Sequence, residues 1–151
     1  MSGVEMHSGE ETMILDSVDR FLEREVRPVV RELEASDTYP KSIVDRMIEL
    51  GLFGATISTE YGGLGLSATT YASIIERISA VWMSVSGIVN SHLIMAAAVQ
   101  RFGTARQKTH YLPRFASGEL RGGIGLTEPD CGTDLQGIRT QIGRASCRER
   151  V

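Results

Sequence analysis

The chain has 151 residues, of which 42% are hydrophobic, 23% charged and 6% aromatic, and its formal net charge is −3 from 16 Lys plus Arg against 19 Asp plus Glu. These proportions are ordinary for a soluble globular protein and exclude a disordered chain, a collagen-like repeat and a disulfide-stapled miniprotein. The charge balance leaves no electrostatic footprint for nucleic acid or for an anionic membrane surface.

Residues 1–9 are small and polar, read as a disordered N-terminus, and have no apolar stretch of the secretory kind. Ser8 and Glu11 stand at capping-box spacing and open a first helix. Leu15, Val18, Leu22, Val26, Val29 and Leu33 then recur at steps of 3 or 4, one face of an α-helix. Pro28 lies inside that pattern and predicts a kink or break near Arg27. Asp37 to Tyr39 is a turn, and Pro40 suits the first position of a second, short helix carrying Ile43, Val44, Met47 and Leu50. Gly51 follows where a left-handed cap is wanted. The five glycines of residues 51–65 predict a folded surface loop. Ser67 caps a third helix, with Tyr71, Ile74, Ile75 and Ile78 on its inner face.

A fourth helix, from about Ser86 to Phe102, is apolar nearly all round and so belongs at the centre of a bundle; surface of that kind left open favours association. Its longest unbroken apolar run, Leu93–Val99, falls short of the roughly 20 residues a membrane span needs. Gly103 ends it. Thr104 and Gln107 form a second capping box and open a fifth helix, which Pro113 and Gly118 close. Leu120 to Leu126 reads as a short glycine-rich strand, and Thr127 to Gly137 as a polar turn segment. The expected fold class is mainly α: a helical bundle, then the first strand of a β unit.

The last residues depart from this texture. IGRASCRERV holds Arg144, Arg148 and Arg150 and no periodic apolar face. Its residues are spelled by codons ATC GGA AGA GCG TCG TGT AGG GAA AGA GTG, a run that looks like a common sequencing adapter read in frame, with Gln141 as the junction codon. Residues 141–151 are therefore set aside as an artefactual tail. Without them the net charge becomes −5 and Cys147 is lost, leaving Cys131 as the one cysteine.

Four groups could carry chemistry. Gly122, Gly123 and Gly125 suggest a dinucleotide fingerprint, but its third glycine is replaced by Glu128, and Pro129 prevents a helix from starting there. Cys131 has no histidine fixed beside it by local sequence and reads as a small buried or half-buried thiol rather than a nucleophile. With no CxxC and with His7, His92 and His110 scattered, neither a zinc site nor a disulfide framework is indicated. His92, among aliphatics on the fourth helix, reads as a hydrogen-bonded core residue, with a pocket-lining role as the alternative. Leu126 to Asp134, LTEPDCGTD, sets Thr127, Gly132 and Thr133 in a tight loop whose amides and hydroxyls suit phosphate or heteroaromatic carbonyl groups.

In that segment the chain resembles the acyl-CoA dehydrogenase family. The family signature is threonine-glutamate-proline, two variable residues, glycine, serine or threonine, and aspartate; Thr127, Glu128, Pro129, Gly132, Thr133 and Asp134 match it in order. EYGGLGLS (Glu60 to Ser67) resembles the family's glycine-rich loop between helices, and RFGTARQKTHYLP (Arg101 to Pro113) its helix-to-helix junction. The resemblance spans residues 10–140. It implies an N-terminal α-helical domain over 10–119 and the start of a middle β domain over 120–140.

It also implies an FAD-dependent oxidoreductase that converts an acyl-CoA thioester to the trans-2-enoyl-CoA. The electron acceptor would be of the electron-transfer flavoprotein kind, and the full-length protein a homo-oligomer; the expectation of a cytoplasmic protein comes instead from the cysteine usage and the lack of a secretory or membrane-spanning run. Carried over residue by residue, Ile124, Gly125, Leu126 and Thr127 would contact the flavin ring, and Gly132 and Thr133 the pyrophosphate. Thr133 would also face the CoA side of the substrate, and Val89 to Ala96 would wall the acyl chain. In the family the catalytic base and part of the FAD site come from a C-terminal bundle that these residues do not include, so no turnover is expected of this chain alone. Two alternatives stand beside this reading: a flavin oxidase or monooxygenase of the same fold, and a non-enzymatic helical interaction module.

Overall fold

The structure, a computed structural model, describes residues 9–140. The expected cap at Ser8, the N-terminal residues 1–8 and the tail from Gln141 onward fall outside the described residues, whereas Gly9, expected to be disordered, is the first residue of a helix. Six α-helices carry the fold, and among the described residues no strand ladder forms, so the mainly α class is as expected.

The first expected helix is divided. α1 spans Gly9–Phe21 and buries Leu15, Val18 and Phe21. It runs into a π-helical turn, Leu22–Val26, before α2, Val30–Ala35. Pro28 accounts for the division: it has no N–H to give, and its ring would press on the carbonyl of Arg24 four residues back. Widening the turn relieves that clash, and the Arg27 N–H reaches Leu22 O at 2.9 Å, five residues back. Leu22 and Val26 stay buried through the change of winding, so the apolar face persists.

α3 spans Lys41–Glu49 and buries Ile43, Val44 and Met47. Pro40 stands one position earlier than expected, as the N-cap residue. Gly51 takes φ 76°, the left-handed conformation that ends this helix. The glycine-rich stretch that follows is not a surface loop throughout. Leu52, Phe53, Ala55 and Ile57 are buried, and the chain turns back so that Leu64 N–H donates to Gly54 O (2.9 Å), Gly65 N–H to Ile57 O (2.9 Å) and Leu66 N–H to Ala55 O (2.8 Å). The apolar run LFGATI belongs to the core; of the later glycines Gly62 and Gly65 are exposed, while Gly63 is pressed onto the backbone of Ile57.

α4 (Ala68–Val81) is capped as expected by Ser67, whose Oγ accepts from Thr70 N–H at 3.1 Å. The Glu11 carboxylate accepts from the Thr70 hydroxyl at 2.6 Å and from the Ser67 hydroxyl at 3.1 Å, which ties the start of α1 to the start of α4. α5 (Met83–Phe102) begins three residues earlier than expected. It packs against α4, α6 and the Leu52–Gly54 turn through Val85, Val89, His92, Leu93 and Ala96. Among the described residues it is the one helix long and apolar enough to cross a membrane, and here it serves as a core helix of the bundle. It is not enclosed on every side: Met83, Ser91, Ile94 and Ala97 are exposed.

α6 (Ala105–Ala116) opens with the expected capping box of Thr104 and Gln107. It continues through Pro113 rather than ending there. Pro113 is exposed and forfeits one backbone bond, while Leu112, Phe115 and Ala116 on the opposite face are buried against the bundle. Packing of that last turn outweighs the lost bond, and Gly118 (φ 72°) follows the end of the helix. Beyond it, Leu120 lies in a bend and residues 121–126 form no regular element and pair with no strand among the described residues. A strand is defined by the ladder it shares, and the alternation read from the sequence has no partner here.

Phe53 sits at the seam between the turn and α5 with no exposure. Truncating it, Phe53→Ala, should cost about 3–5 kcal/mol of unfolding free energy in urea titration; a loss under about 1 kcal/mol would show that this turn lies outside the cooperative core.

Candidate functional site

The residues singled out in the sequence lie in the segment that leaves α6. Three successive residues anchor its beginning. Leu120 N–H donates to Arg114 O at 3.0 Å, the Arg121 guanidinium donates to the Tyr39 hydroxyl and lies 5.8 Å from that ring's centroid, and Gly122 N–H donates to His92 Nδ1 at 3.2 Å. Gly122 is also pressed onto α5: a Cβ there would stand 2.6 Å from Met95 Cγ, so only glycine permits this approach.

His92 is the residue that the close approach is built around. Its ring is 1% exposed, 4.8 Å from the centroid of Phe53 and 5.3 Å, edge-on, from that of Phe115. Nε2 lies 3.1 Å from Phe53 O. A carbonyl only accepts and an amide only donates, so the proton must be on Nε2 and Nδ1 must be bare. The imidazole is held neutral. Burial pushes its pKa below the ordinary histidine value, against the opposing pull of the Phe53 and Phe115 backbone, with the charge of Arg121 a smaller effect in the same direction as burial. His92 is thus a hydrogen-bonded core histidine, as read from the sequence, and its link to Gly122 is what the sequence did not disclose.

Past Gly122 the chain runs free. Among the described residues no hydrogen bond engages the backbone of Gly123, Ile124, Gly125, Leu126 or Thr127. Ile124 and Leu126 are 43% and 48% exposed, and nothing lies within 4 Å of where a Cβ would stand on Gly123, Gly125 or Gly132.

The far end of the segment is closed again. Glu128 and Cys131 exchange backbone hydrogen bonds of 2.8 and 3.2 Å, and Cys131 Sγ donates to Asp134 O at 2.6 Å. Cys131 is 5% exposed, the small buried thiol expected. The Glu128 carboxylate accepts from the backbone N–H groups of Arg139 (2.9 Å) and Thr140 (2.8 Å), which folds the end of the described chain back on the turn. Gly132 and Thr133 sit exposed on that turn, with Thr133 O accepting from Leu135 N–H. Ile124, Gly125, Leu126 and Thr127 therefore share one open strip between two anchors, while Gly132 and Thr133 lie on the turn beyond its far end. Sequence reasoning missed the anchors themselves: Met95, Arg121 with Tyr39, and the role of Glu128 as a clip. Among the described residues no three His, Cys, Asp or Glu side chains gather for a metal.

Residues 8–119 match the family described as "Acyl-CoA dehydrogenase, N-terminal domain", and the chain belongs to that family. A curated relative, the short-chain specific acyl-CoA dehydrogenase of Clostridium acetobutylicum, is 35% identical over 126 residues, covering 83% of this chain and 33% of its own. Butyryl-CoA dehydrogenase from Megasphaera elsdenii superposes with a TM-score of 0.81 at 28% identity over 89% of this chain and 36% of its own. An acyl-CoA dehydrogenase complexed with FAD from Bacillus anthracis superposes with a TM-score of 0.79 at 34% identity, over 89% and 24%. The chain spans about a third of the length of the curated relatives it matches.

The neutral state of His92 gives stability a pH dependence of definite sign. Its pKa is lowered on folding, so its contribution is present above the unfolded value near 6.5 and is lost as the pH falls toward the lower folded value. Wild-type unfolding free energy, measured by denaturant titration, should drop more between pH 7.5 and 5.5 than that of His92→Gln; equal drops would contradict a buried neutral imidazole.

Proposed function

We propose that this chain provides part of the flavin-binding face of an FAD-dependent acyl-CoA dehydrogenase, a protein that oxidises an acyl-CoA thioester to its trans-2-enoyl-CoA. The observation that carries the reading is the strip from Gly123 to Thr127. Its amides are unspent, its glycines are open, and its two ends are anchored in a chain whose family includes FAD complexes. An unpaired row of N–H and C=O groups beside exposed apolar side chains suits a flat heteroaromatic ring with carbonyl edges.

In this reading the amides around Ile124, Gly125 and Leu126 and the Thr127 hydroxyl hold the polar edge of the flavin. Gly132 N–H and the Thr133 hydroxyl hold the pyrophosphate, and Thr133 also faces the CoA side of the substrate. Ile124 and Leu126 exclude water along the strip. The half-buried and exposed residues of α5 between Val89 and Ala96 border the acyl chain. Bound FAD would supply the two-electron acceptor for the hydride that leaves the β-carbon as the α-proton is taken. A separate acceptor, of the electron-transfer flavoprotein kind, is then the natural partner, because those two electrons must leave.

No base is proposed within residues 9–140. The one carboxylate of the strip that is pinned at both oxygens, Glu128, is committed to two backbone N–H groups. A proton acceptor must stand within hydrogen-bond reach of the proton it takes.

Titrating the 151-residue chain into FAD should quench flavin fluorescence, and should do so at lower protein concentration for FAD than for riboflavin, which has no pyrophosphate. Thr127→Ala should weaken FAD binding about three- to tenfold, as expected for one lost hydrogen bond. A saturated acyl-CoA added to the mixture should leave the flavin absorbance unbleached. Absence of quenching would overturn the flavin assignment, and bleaching would overturn the placement of the base elsewhere.

A further inference from the structure

The open strip is useful to a rigid ligand only if its point of departure from the bundle is fixed. Gly122 N–H is the last backbone group of the segment that is bonded before the strip begins, and its acceptor is His92 Nδ1. His92 in turn is fixed by Phe53 O on one side and by two aromatic rings. Met95, one turn further along α5, is the second contact that seats Gly122.

We propose that His92 is the positioning residue of the flavin-facing strip: as a neutral imidazole protonated on Nε2, it spans Phe53 O and Gly122 N–H and so sets where residues 123–127 stand over α5. The flavin half of this statement rests on the function proposed above; the contact and its tautomer do not. The chemistry leaves one state that works. The imidazolium would carry a proton on Nδ1, facing the Gly122 N–H donor to donor, and the other neutral tautomer would place a lone pair against the Phe53 carbonyl as well. Either change releases the strip at its first anchor. The positive charge of Arg121, the residue before Gly122, disfavours the imidazolium by a smaller amount than burial does.

Asparagine and glutamine separate the two halves of the contact. An Asn oxygen stands near the place of Nδ1 and keeps an acceptor for Gly122, whereas a Gln amide reaches the place of Nε2 and keeps a donor for Phe53 O. Phenylalanine keeps the ring packing and neither bond. The experiment uses the full 151-residue chain labelled with 15N. At pH 7.5 the wild-type His92 ring should show the Nε2–H tautomer, and its Gly122 amide should be protected from solvent exchange. His92→Asn should keep most of that protection. His92→Gln and His92→Phe should each lose about tenfold, the effect of one hydrogen bond, and FAD affinity should follow the same order.

An imidazolium or Nδ1–H signal in the wild type would overturn the proposal without any variant. So would Gly122 exchange that is equal in the Asn and Gln variants, which is the outcome for a purely space-filling histidine. A wild-type chain that shows the expected tautomer and protection but takes up no FAD overturns the flavin reading and leaves the His92 contact standing.

Discussion

A buried imidazole can satisfy an acceptor and a donor at once only as a single neutral tautomer. At His92 that constraint joins three segments that are distant in the chain: the Phe53 turn, the middle of α5, and the start of the strip at Gly122. The surrounding structure is arranged to keep the ring in that state. The Phe53 and Phe115 rings enclose it, and burial disfavours its charge by more than the Phe53 and Phe115 backbone favours it. A buried polar group without partners is costly, so the same burial that holds the ring neutral also makes both of its bonds matter.

The helices exist, in this view, to build that seam. α1, the π turn and α4 form one cluster of buried apolar residues; Ile57, Ala96, Leu112, Phe115 and Ala116 form a second around the α5–α6 junction. The LFGATI turn joins the two, with Phe53 in the first and Ile57 in the second. Gln100 secures it further, accepting from Ser58 N–H at 2.9 Å and donating to Thr56 O at 3.2 Å. The strip leaves the bundle from this second cluster, so the rigidity of its origin derives from side chains spread over half the sequence.

Much of the bundle is legible from local pattern because helices are local objects. The 3–4 spacing from Leu15 to Val26, the Ser67 cap, the Thr104–Gln107 box and the turn at Gly51 all involve residues within a few positions of one another. Pro28 foretells a disturbance but not its form, since a kink, a break and a π turn all relieve the same clash. Glycine spacing masks the burial of Leu52 to Ile57, although the apolar run itself was the signal. α6 outlasts Pro113 because tertiary packing overrides a local breaker. The strand expected over 120–126 depends on a neighbouring strand, which no window of one sequence supplies. The signature from Thr127 to Asp134 marks the far end of the strip and the turn that closes it, yet nothing local connects His92 to Gly122 thirty residues later; that contact follows from the fold alone.

The central claim is that residues 123–127 form an open strip, fixed at Gly122, that receives a flavin. Amide chemical-shift mapping on the 15N-labelled chain during FAD addition addresses it most directly. The expected pattern is a set of saturable shifts confined to Gly123 through Thr127 and to Gly132 and Thr133, with the amides of α1 and α3 unmoved. Shifts centred instead on the groove between Met13 and Leu50, or no saturable shifts at all, would contradict it.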